Sequence, residues 1–207
     1  MRGKALVVVG LDLAGSPRRP TGFCLLHAMA ARTRELFADA EILEAVSAAA
    51  PALVAVDAPL ALPPGRTSIH ERTDSHYRPA DLELRRRRIP FFPITLGPMR
   101  TLTERGMRLR DEIERTGVRV VEIYPGGALD VWGIPRAGRD QAGLGRGLAR
   151  LGVTGLRRDA SGHELDAAAG ALVVRHFLLG KAEVYGDFST GAILMPRPPR
   201  AGRRSTD

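Results

Sequence analysis

Three apolar segments of the sequence end in an acidic residue, and a glycine or proline follows each acid within three residues. The segments are residues 7–12, 53–57 and 120–122. A short apolar run that stops at a chain-turning residue is typical of a buried strand. Parallel strands bring their carboxyl ends to one edge of a sheet, about 4.8 Å from neighbour to neighbour. The pattern therefore predicts an α/β protein in which Asp12, Asp57 and Glu122 lie together.

Other segments have the periodicity of regular structure. Strands are predicted at residues 5–13, 21–28, 32–38, 52–56 and 118–123, with a short terminal run at 192–195. Helices are predicted at 39–50 with Asp39 as N-cap, near 81–88, at 101–116, near 141–151 within a Gly-rich linker, and at 163–179. Three linked strands followed by alternating helices and strands predict a mixed sheet with helices on both faces.

A fourth acid begins an apolar helix. Asp166 precedes eight uncharged residues, so the helix is expected to pack on several sides. Because an unpaired buried carboxylate costs on the order of a few kcal/mol, Asp166 should face a cation or the mouth of a site. His163 shares its helical face, whereas Glu164 points elsewhere. Gly170 would let this helix approach the sheet closely.

Size and composition exclude several classes of protein. With 207 residues and 44% hydrophobic residues, the chain fits a single domain over 1–196 with an insertion around 60–98. No apolar run approaches the roughly 20 residues of a membrane span, so no membrane partner is expected. The single cysteine, Cys24, cannot form an internal disulfide. With no export signal recognised, we expect a cytoplasmic location.

The net charge of +8 is local. It comes mainly from residues 85–88 and from a tail at 197–207 that is predicted to be disordered. Arg85 and Arg88 precede two phenylalanines, which suits contact with phosphates and bases, although a solvated charged face explains the run equally well. Arg100 and Arg105 are further candidate phosphate contacts. Arg108 is assigned instead to helical pairs with Glu104 and Glu112.

Four motifs, taken in order, resemble a known family. They are residues 10–15 (GLDLAG), 56–59 (VDAP), 122–126 (EIYPG) and 163–168 (HELDAA). They are similar to the family catalogued as domain of unknown function 429, a set of predicted nucleases placed in the ribonuclease H-like superfamily. The resemblance implies a five-stranded ribonuclease H-like sheet with three antiparallel strands and then two strands parallel to the first. The fourth strand would lie between the first and the fifth.

The resemblance also implies a site. By analogy with Holliday-junction resolvases of that superfamily, Asp12, Asp57 and Asp166 would hold two Mg²⁺ or Mn²⁺ ions, with His163 beside them. Two such ions, about 3.5–4 Å apart, activate water and stabilise the leaving oxygen. Glu122 would be a further ligand or a positioning group. The expected function is metal-dependent hydrolysis of nucleic acid, DNA or RNA, by a monomer or a homodimer.

Two other functions stay open at this level. Sugar kinases and actin-like ATPases use related sheets, and residues 12–15 followed by a hairpin would cradle phosphates of ATP. Those proteins generally close two domains around the nucleotide, and this chain has length for one unless it dimerises. A non-catalytic nucleic-acid-binding module is the other alternative. Clustered carboxylates argue against it, because negative charge weakens the binding of phosphates.

Overall fold

One mixed sheet of seven strands organises the protein. The structure is a computed structural model that describes residues 6–198. The strands are β1 (Val7–Asp12), β2 (Thr21–His27), β3 (Ala30–Leu36), β4 (Val54–Val56), β5 (Val120–Ile123), β6 (Ala182–Tyr185) and β7 (Ile193–Pro196). Their order across the sheet is β3-β2-β1-β4-β5-β7-β6. The ribonuclease H-like class is confirmed, while the strand number is seven and not five because β6 and β7 extend the sheet beyond β5.

Strand directions also follow the prediction. Strand β1 pairs antiparallel with β2, and β2 antiparallel with β3. Strands β4 and β5 run parallel to β1, with β4 between them. Strand β7 continues the parallel set beside β5, and β6 returns antiparallel at the outer edge. The carboxyl ends of β1, β4 and β5 therefore meet at one edge.

Between residues 6 and 198, six helices cover the two faces of the sheet. They are α1 (Asp39–Ala49), α2 (Pro79–Arg86), α3 (Gly97–Glu114), α4 (Pro125–Trp132), α5 (Ala137–Arg150) and α6 (Gly162–Leu178). Helices α1 and α3 pack on the face formed by Val9, Leu11, Val54 and Val56. Helices α4, α5 and α6 pack on the opposite face. None of the helices within residues 6–198 is long and apolar enough to cross a bilayer.

Two helical predictions are wrong in detail. The Gly-rich stretch is not a linker, since α4 and α5 occupy most of it. Gly147 is buried against Ile134, and a Cβ on it would lie 2.6 Å from that side chain, so the glycine allows close packing. The N-cap of α1 is Ala38, and Asp39 is the first helical residue.

The segment between β4 and α3, expected as an insertion, carries α2. Ala80 and Leu84 of α2 pack with Tyr185, Ile193 and Met195, so this segment covers the β6–β7 end of the sheet. The basic tail predicted at 197–207 lies outside the described residues, apart from 197 and 198.

Glycines in two strands let α6 lie against the sheet. A Cβ built on Gly10 of β1 would stand 2.0 Å from the carbonyl oxygen of Ala167, and one on Gly22 of β2 would stand 1.9 Å from that of His163. No side chain fits at either position while the helix stays in place. The close approach predicted for Gly170 is confirmed, since its Cβ would lie 2.9 Å from Ile123. This packing determines where the first turns of α6 sit over the end of β1.

Candidate active site

The carboxyl ends of β1 and β4 place two acids side by side. Asp12 is the last residue of β1, and Asp57 follows β4 directly. The Asp57 backbone N–H donates to the carbonyl of Leu11 at 2.8 Å, which continues the parallel ladder. Leu11 and Val56 face α1 and α3, so alternation turns the next residue of each strand toward α6. Both acids therefore lie under the start of α6.

Helix α6 adds His163 and Asp166 to the same place. The helix begins after Ser161, whose hydroxyl accepts from the Glu164 N–H in a capping box. The His163 ring bonds through Nδ1 to Oδ2 of Asp12 at 2.6 Å. That hydrogen bond raises the pKa of His163 and favours the imidazolium. Asp166 lies one turn further along.

Glu164 has a different role, as predicted from its helical position. Its Oε1 accepts from the Thr33 hydroxyl at 2.8 Å, and its Oε2 accepts from the Ser161 N–H at 2.9 Å. Arg157 pairs with the same carboxylate at 3.2 Å. Glu164 thus links the start of α6 to β3 and stays apart from Asp12.

Burial and neighbouring negative charge raise the pKa values of two of the three aspartates. Burial, and then the charges of Asp12 and Asp166, raise the pKa of Asp57 well above its usual value. Burial and the charge of Asp12 raise the pKa of Asp166 to about 7, although His163 and Arg136 oppose the shift. Within residues 6–198, the only salt-bridge partner of any of the three is His163, on Asp12. We refer to Asp12, Asp57 and Asp166 as the aspartate cluster.

The carboxylate oxygens of the aspartate cluster are suitable ligands for a hard divalent cation, but the spacing of the three side chains suits one less well. Carboxylate oxygens are the ligands that Mg²⁺ and Mn²⁺ prefer, and a cation would offset the repulsion that raises the pKa values. Across residues 6–198, however, no group of three or more His, Cys, Asp or Glu side chains is arranged to hold a metal ion. The three carboxyls are neighbours with excess negative charge, and they do not form a closed coordination shell.

Glu122 lies outside this cluster, on the other face of the sheet. It pairs in register with Val56, so its side chain points to the side of α1 and α3. Arg78 holds both of its oxygens, with Nη1 at 2.6 Å from Oε2 and Nη2 at 2.7 Å from Oε1. The Leu60 N–H donates to Oε2 at 2.8 Å. Burial raises the pKa of Glu122, and the Arg78 charge opposes the shift.

Arg78 was missed from the sequence. Its side chain is 1% exposed, and it also binds Asp81 through Nη2 at 2.8 Å. Two signals point to it in retrospect: Glu122 lies in a fully buried strand and needs a cation, and Asp81 stands three residues after Arg78 at the start of α2. We refer to the two acids Asp81 and Glu122, together with the Arg78 that joins them, as the arginine-bridged pair.

A cavity of about 190 Å³ separates the two groups. Asp57 and Glu122 both line it, together with aromatic and aliphatic side chains that include Phe91, Phe92 and Tyr124. Phe92 is 72% exposed, so the cavity opens at an apolar rim. The Tyr124 hydroxyl donates to the carbonyl of Pro90 at 2.6 Å and holds that rim against the end of β5.

Comparison with known proteins identifies the family. A family model described as protein of unknown function (DUF429) matches residues 10–190. The chain belongs to the DUF429 family. The match includes the aspartate cluster, His163 and the arginine-bridged pair. No curated protein matches the chain significantly.

One solved structure similar to this DUF429 protein is described as T. thermophilus RuvC in complex with Holliday junction substrate. The two share 17% sequence identity with a TM-score of 0.50, and the alignment covers 84% of this chain and 97% of that chain. At this identity the similarity is one of fold, and it agrees with the ribonuclease H-like sheet described above.

The arginines predicted to contact substrate divide into two groups in this DUF429 protein. Arg105 is 3% exposed and donates to Asp39, to the carbonyl of Ala14 and to that of Phe37. It therefore ties the loop after β1 to the start of α1, and we reassign it from phosphate contact to structure. Arg108 also pairs with Asp39, at 2.7 Å, and not with the helical neighbours expected for it.

The remaining predicted arginines are more accessible. Arg85 and Arg88 are exposed at the end of α2, and Arg85 stands 5.9 Å from the ring of Tyr77. With Phe91 and Pro93 they line an open depression on the surface. Arg100 is half-buried and donates through Nε to the carbonyl of Thr95 at 2.7 Å.

Proposed function

We propose that this DUF429 protein is a divalent-metal-dependent nuclease whose metal ligands are Asp12, Asp57 and Asp166. The observation that carries the proposal is the excess negative charge of the aspartate cluster at the carboxyl edge of the central strands. Such a cluster gains from a bound cation and is unfavourable without one. The ribonuclease H-like fold supports the proposal, and so does a structural neighbour described in complex with a Holliday junction.

Mg²⁺ or Mn²⁺ bound there would activate water and stabilise the leaving oxygen of a phosphodiester. The side chains of the protein would hold the cation and orient the groups around it. Asp12, Asp57 and Asp166 would supply the carboxylate oxygens that hold the cation. His163 orients Asp12 through Nδ1, and its side chain is 44% exposed. The hydrogen bond to Asp12 raises the pKa of His163 and favours the imidazolium, so we propose that this ring gives a proton to the leaving oxygen.

Glu122 has no direct part in this scheme. Its charge raises the pKa of Asp57, but both of its oxygens are already bound to Arg78. We propose that it positions the end of β5, which leads into Tyr124 and the cavity beside Asp57.

Nucleic acid is the proposed partner, in the cytoplasm, and Arg85, Arg88 and Arg100 are proposed phosphate contacts. The decisive experiment incubates the protein with end-labelled single-stranded, duplex and four-way-junction DNA and RNA in EDTA, Mg²⁺ or Mn²⁺. We expect cleavage only with a divalent ion, and loss of cleavage in Asp12→Asn and in Asp57→Asn. Asp159→Asn, which changes an 83%-exposed acid, is the matched control and should cleave normally.

The outcomes separate the alternatives. Cleavage that persists in Asp57→Asn places the reaction elsewhere. Hydrolysis or transfer of the ATP γ-phosphate, with no cleavage of any nucleic acid, supports the kinase-like alternative. Tight binding without cleavage in either metal supports a non-catalytic binding module.

A further inference from the structure

Arg136 is an arginine beside the aspartate cluster that the sequence patterns did not single out. It caps the start of α5, after the short turn that follows α4. The next residue, Ala137, touches the turn just before His163, since a Cβ on Gly162 would lie 3.0 Å from the Ala137 Cβ. On its other side, Arg136 Nη1 bonds the Tyr124 hydroxyl at 3.3 Å. Arg136 therefore bonds to the residue that follows β5, and its neighbour Ala137 packs beside the start of α6.

The surroundings hold this guanidinium in one orientation. Nε lies 3.2 Å from Oδ1 of Asp130, and Nη2 lies 2.5 Å from Oδ2. The Arg136 Cζ is 5.7 Å from the centre of the Tyr124 ring. In the part of the chain that the structure describes, these bonds use three of the five guanidinium N–H groups. One N–H on each terminal nitrogen remains for another acceptor.

Space for the guanidinium depends on a glycine of the EIYPG motif. A Cβ on Gly126 would come within 3.0 Å of Arg136 Nη1 and 3.1 Å of its Cζ. Gly126 thus clears the position that the guanidinium occupies above the first turn of α4. Half-exposure keeps the group open to solvent, with 40% of its side chain accessible.

Tyr124 connects Arg136 to the site. Tyr124 lines the same cavity as Asp57, and its hydroxyl accepts a hydrogen bond from Arg136 Nη1 at 3.3 Å. A rigid, half-exposed guanidinium beside a cavity that an aspartate lines suits an anionic ligand such as a phosphate.

We infer that Arg136 binds a non-bridging phosphate oxygen of the nucleic acid at the rim of the aspartate cluster, an inference that rests on the proposed function. Its two remaining N–H groups would point at phosphate, while Asp130 and Tyr124 hold the guanidinium in place. Arg105, which the sequence suggested for such a contact, is instead enclosed by Asp39 and two carbonyls. Asp130 is a positioning residue in this arrangement.

The test measures binding apart from cleavage. Fluorescence anisotropy in EDTA would give affinities of the full chain for labelled single-stranded and four-way-junction DNA between 50 and 200 mM salt. We expect Arg136→Gln to weaken binding of all sequences alike by about 10-fold and to reduce the slope of log affinity against log salt by about 1. Arg146→Gln is the control, since Arg146 lies on the same helix, pairs with Asp140 and is 69% exposed.

Two further variants separate phosphate binding from a structural role. Arg136→Lys keeps the positive charge, so its salt slope should be close to that of wild type if Arg136 binds phosphate. If the guanidinium only holds Asp130 in place, Arg136→Lys should behave like Arg136→Gln. Asp130→Asn should lower thermal stability while leaving the salt slope within about 0.5 of wild type. If Arg136→Gln folds poorly, as judged by circular dichroism, the comparison of Arg136→Lys with wild type carries the test.

The failures are distinguishable. Wild-type protein that binds and cleaves DNA, while Arg136→Gln has an unchanged salt slope and unchanged KM, overturns this inference alone. Wild-type protein with no affinity for any nucleic acid overturns the proposed function and this inference with it.

Discussion

One cavity separates two groups of acids, and the two groups differ in how their negative charge is balanced. In the arginine-bridged pair, the buried Arg78 satisfies Glu122 and Asp81 with four hydrogen bonds of 2.6 to 3.1 Å. In the aspartate cluster, one imidazole faces three carboxyls. The acids of one group are therefore neutralised by a buried arginine, whereas those of the other keep an excess of negative charge.

Side-chain alternation along the strands produces this difference. Val56 pairs with Glu122, so Asp57 and Glu122 are offset by one residue and leave the sheet on opposite faces. One face is covered by the segment that brings Arg78. The other is covered by α6, which brings another acid and a histidine.

Removing the buried arginine should have the largest effect on stability. Arg78→Met leaves two buried carboxyls without a cationic partner, and we expect a loss of about 3–5 kcal/mol in the free energy of unfolding. Urea denaturation measures it, with Arg108→Met as the control at about 1 kcal/mol or less because that guanidinium is largely exposed. A loss below 1 kcal/mol in Arg78→Met would mean that the arginine-bridged pair is not a structural unit.

Pushing α6 away from β1 should affect both stability and the aspartate cluster. Gly10→Ala places a methyl group against the Ala167 carbonyl, so the helix has to move, at a cost of about 1–3 kcal/mol. We also expect Mn²⁺ affinity, measured by titration calorimetry, to fall. Gly97→Ala, which meets no atom within 4 Å, should leave both quantities unchanged. If Gly10→Ala and Gly97→Ala had equal effects, Gly10 would not be what determines the position of α6.

The pH dependence of stability should report the repulsion in the aspartate cluster. Asp166 has a pKa of about 7 in the folded protein against 3.8 ordinarily, so the folded state retains a proton that the unfolded state loses. Stability without metal should therefore fall as pH rises from about 4, and the contribution of Asp166 should be lost by about pH 7. Asp57 acts in the same direction, and so does His163, whose raised pKa stabilises the fold only at lower pH.

Thermal melts between pH 4.5 and 8 measure this slope, and Asp166→Asn should make it shallower. Because a cation offsets the repulsion, Mg²⁺ or Mn²⁺ should raise Tm more at pH 8 than at pH 5. A cation effect that is equal at both pH values would argue that the metal binds away from these carboxyls.

The smallest effect is expected from removing one acid of the aspartate cluster. Asp57→Asn should raise Tm of the metal-free protein by about 2–4 °C for each kcal/mol of repulsion removed, and should abolish the rise in Tm that Mn²⁺ causes. Glu122→Asn is the counterpart on the other face and should lower Tm, since it leaves Arg78 short of a partner. If both variants shifted Tm in the same direction, the contrast between the two groups would be wrong.

The sequence predicts most of the elements because their signals are local. Apolar runs ended by glycine or proline locate β1, β4 and β5, and the spacing of His163 and Asp166 places them on one helical face. The predicted terminal run at 192–195 corresponds to β7, whereas the four-residue β6 was not predicted. Helix α4 was not predicted because its first turn contains two glycines, which disfavour helix in isolation and are compensated here by packing.

The candidate site could be predicted only in part. The sequence shows directly that an acid ends each apolar strand, and it shows the order of the motifs. Whether that acid is neutralised depends on partners far along the chain. Arg78 reaches Glu122 across 44 positions, and His163 reaches Asp12 across 151.

Local sequence was thus enough to place carboxylates at the carboxyl edge of a mixed α/β sheet, and the resemblance of four motifs to a known family added its ribonuclease H-like order. Folding assigned their roles, because charge balance is a property of three-dimensional neighbours. In the arginine-bridged pair, a buried arginine from the β4–α3 segment neutralises the acids. In the aspartate cluster, glycines in β1 and β2 let α6, which carries another acid, pack over the ends of the strands. Coulomb energy depends on distance through space and on burial, and neither can be read from the order of residues.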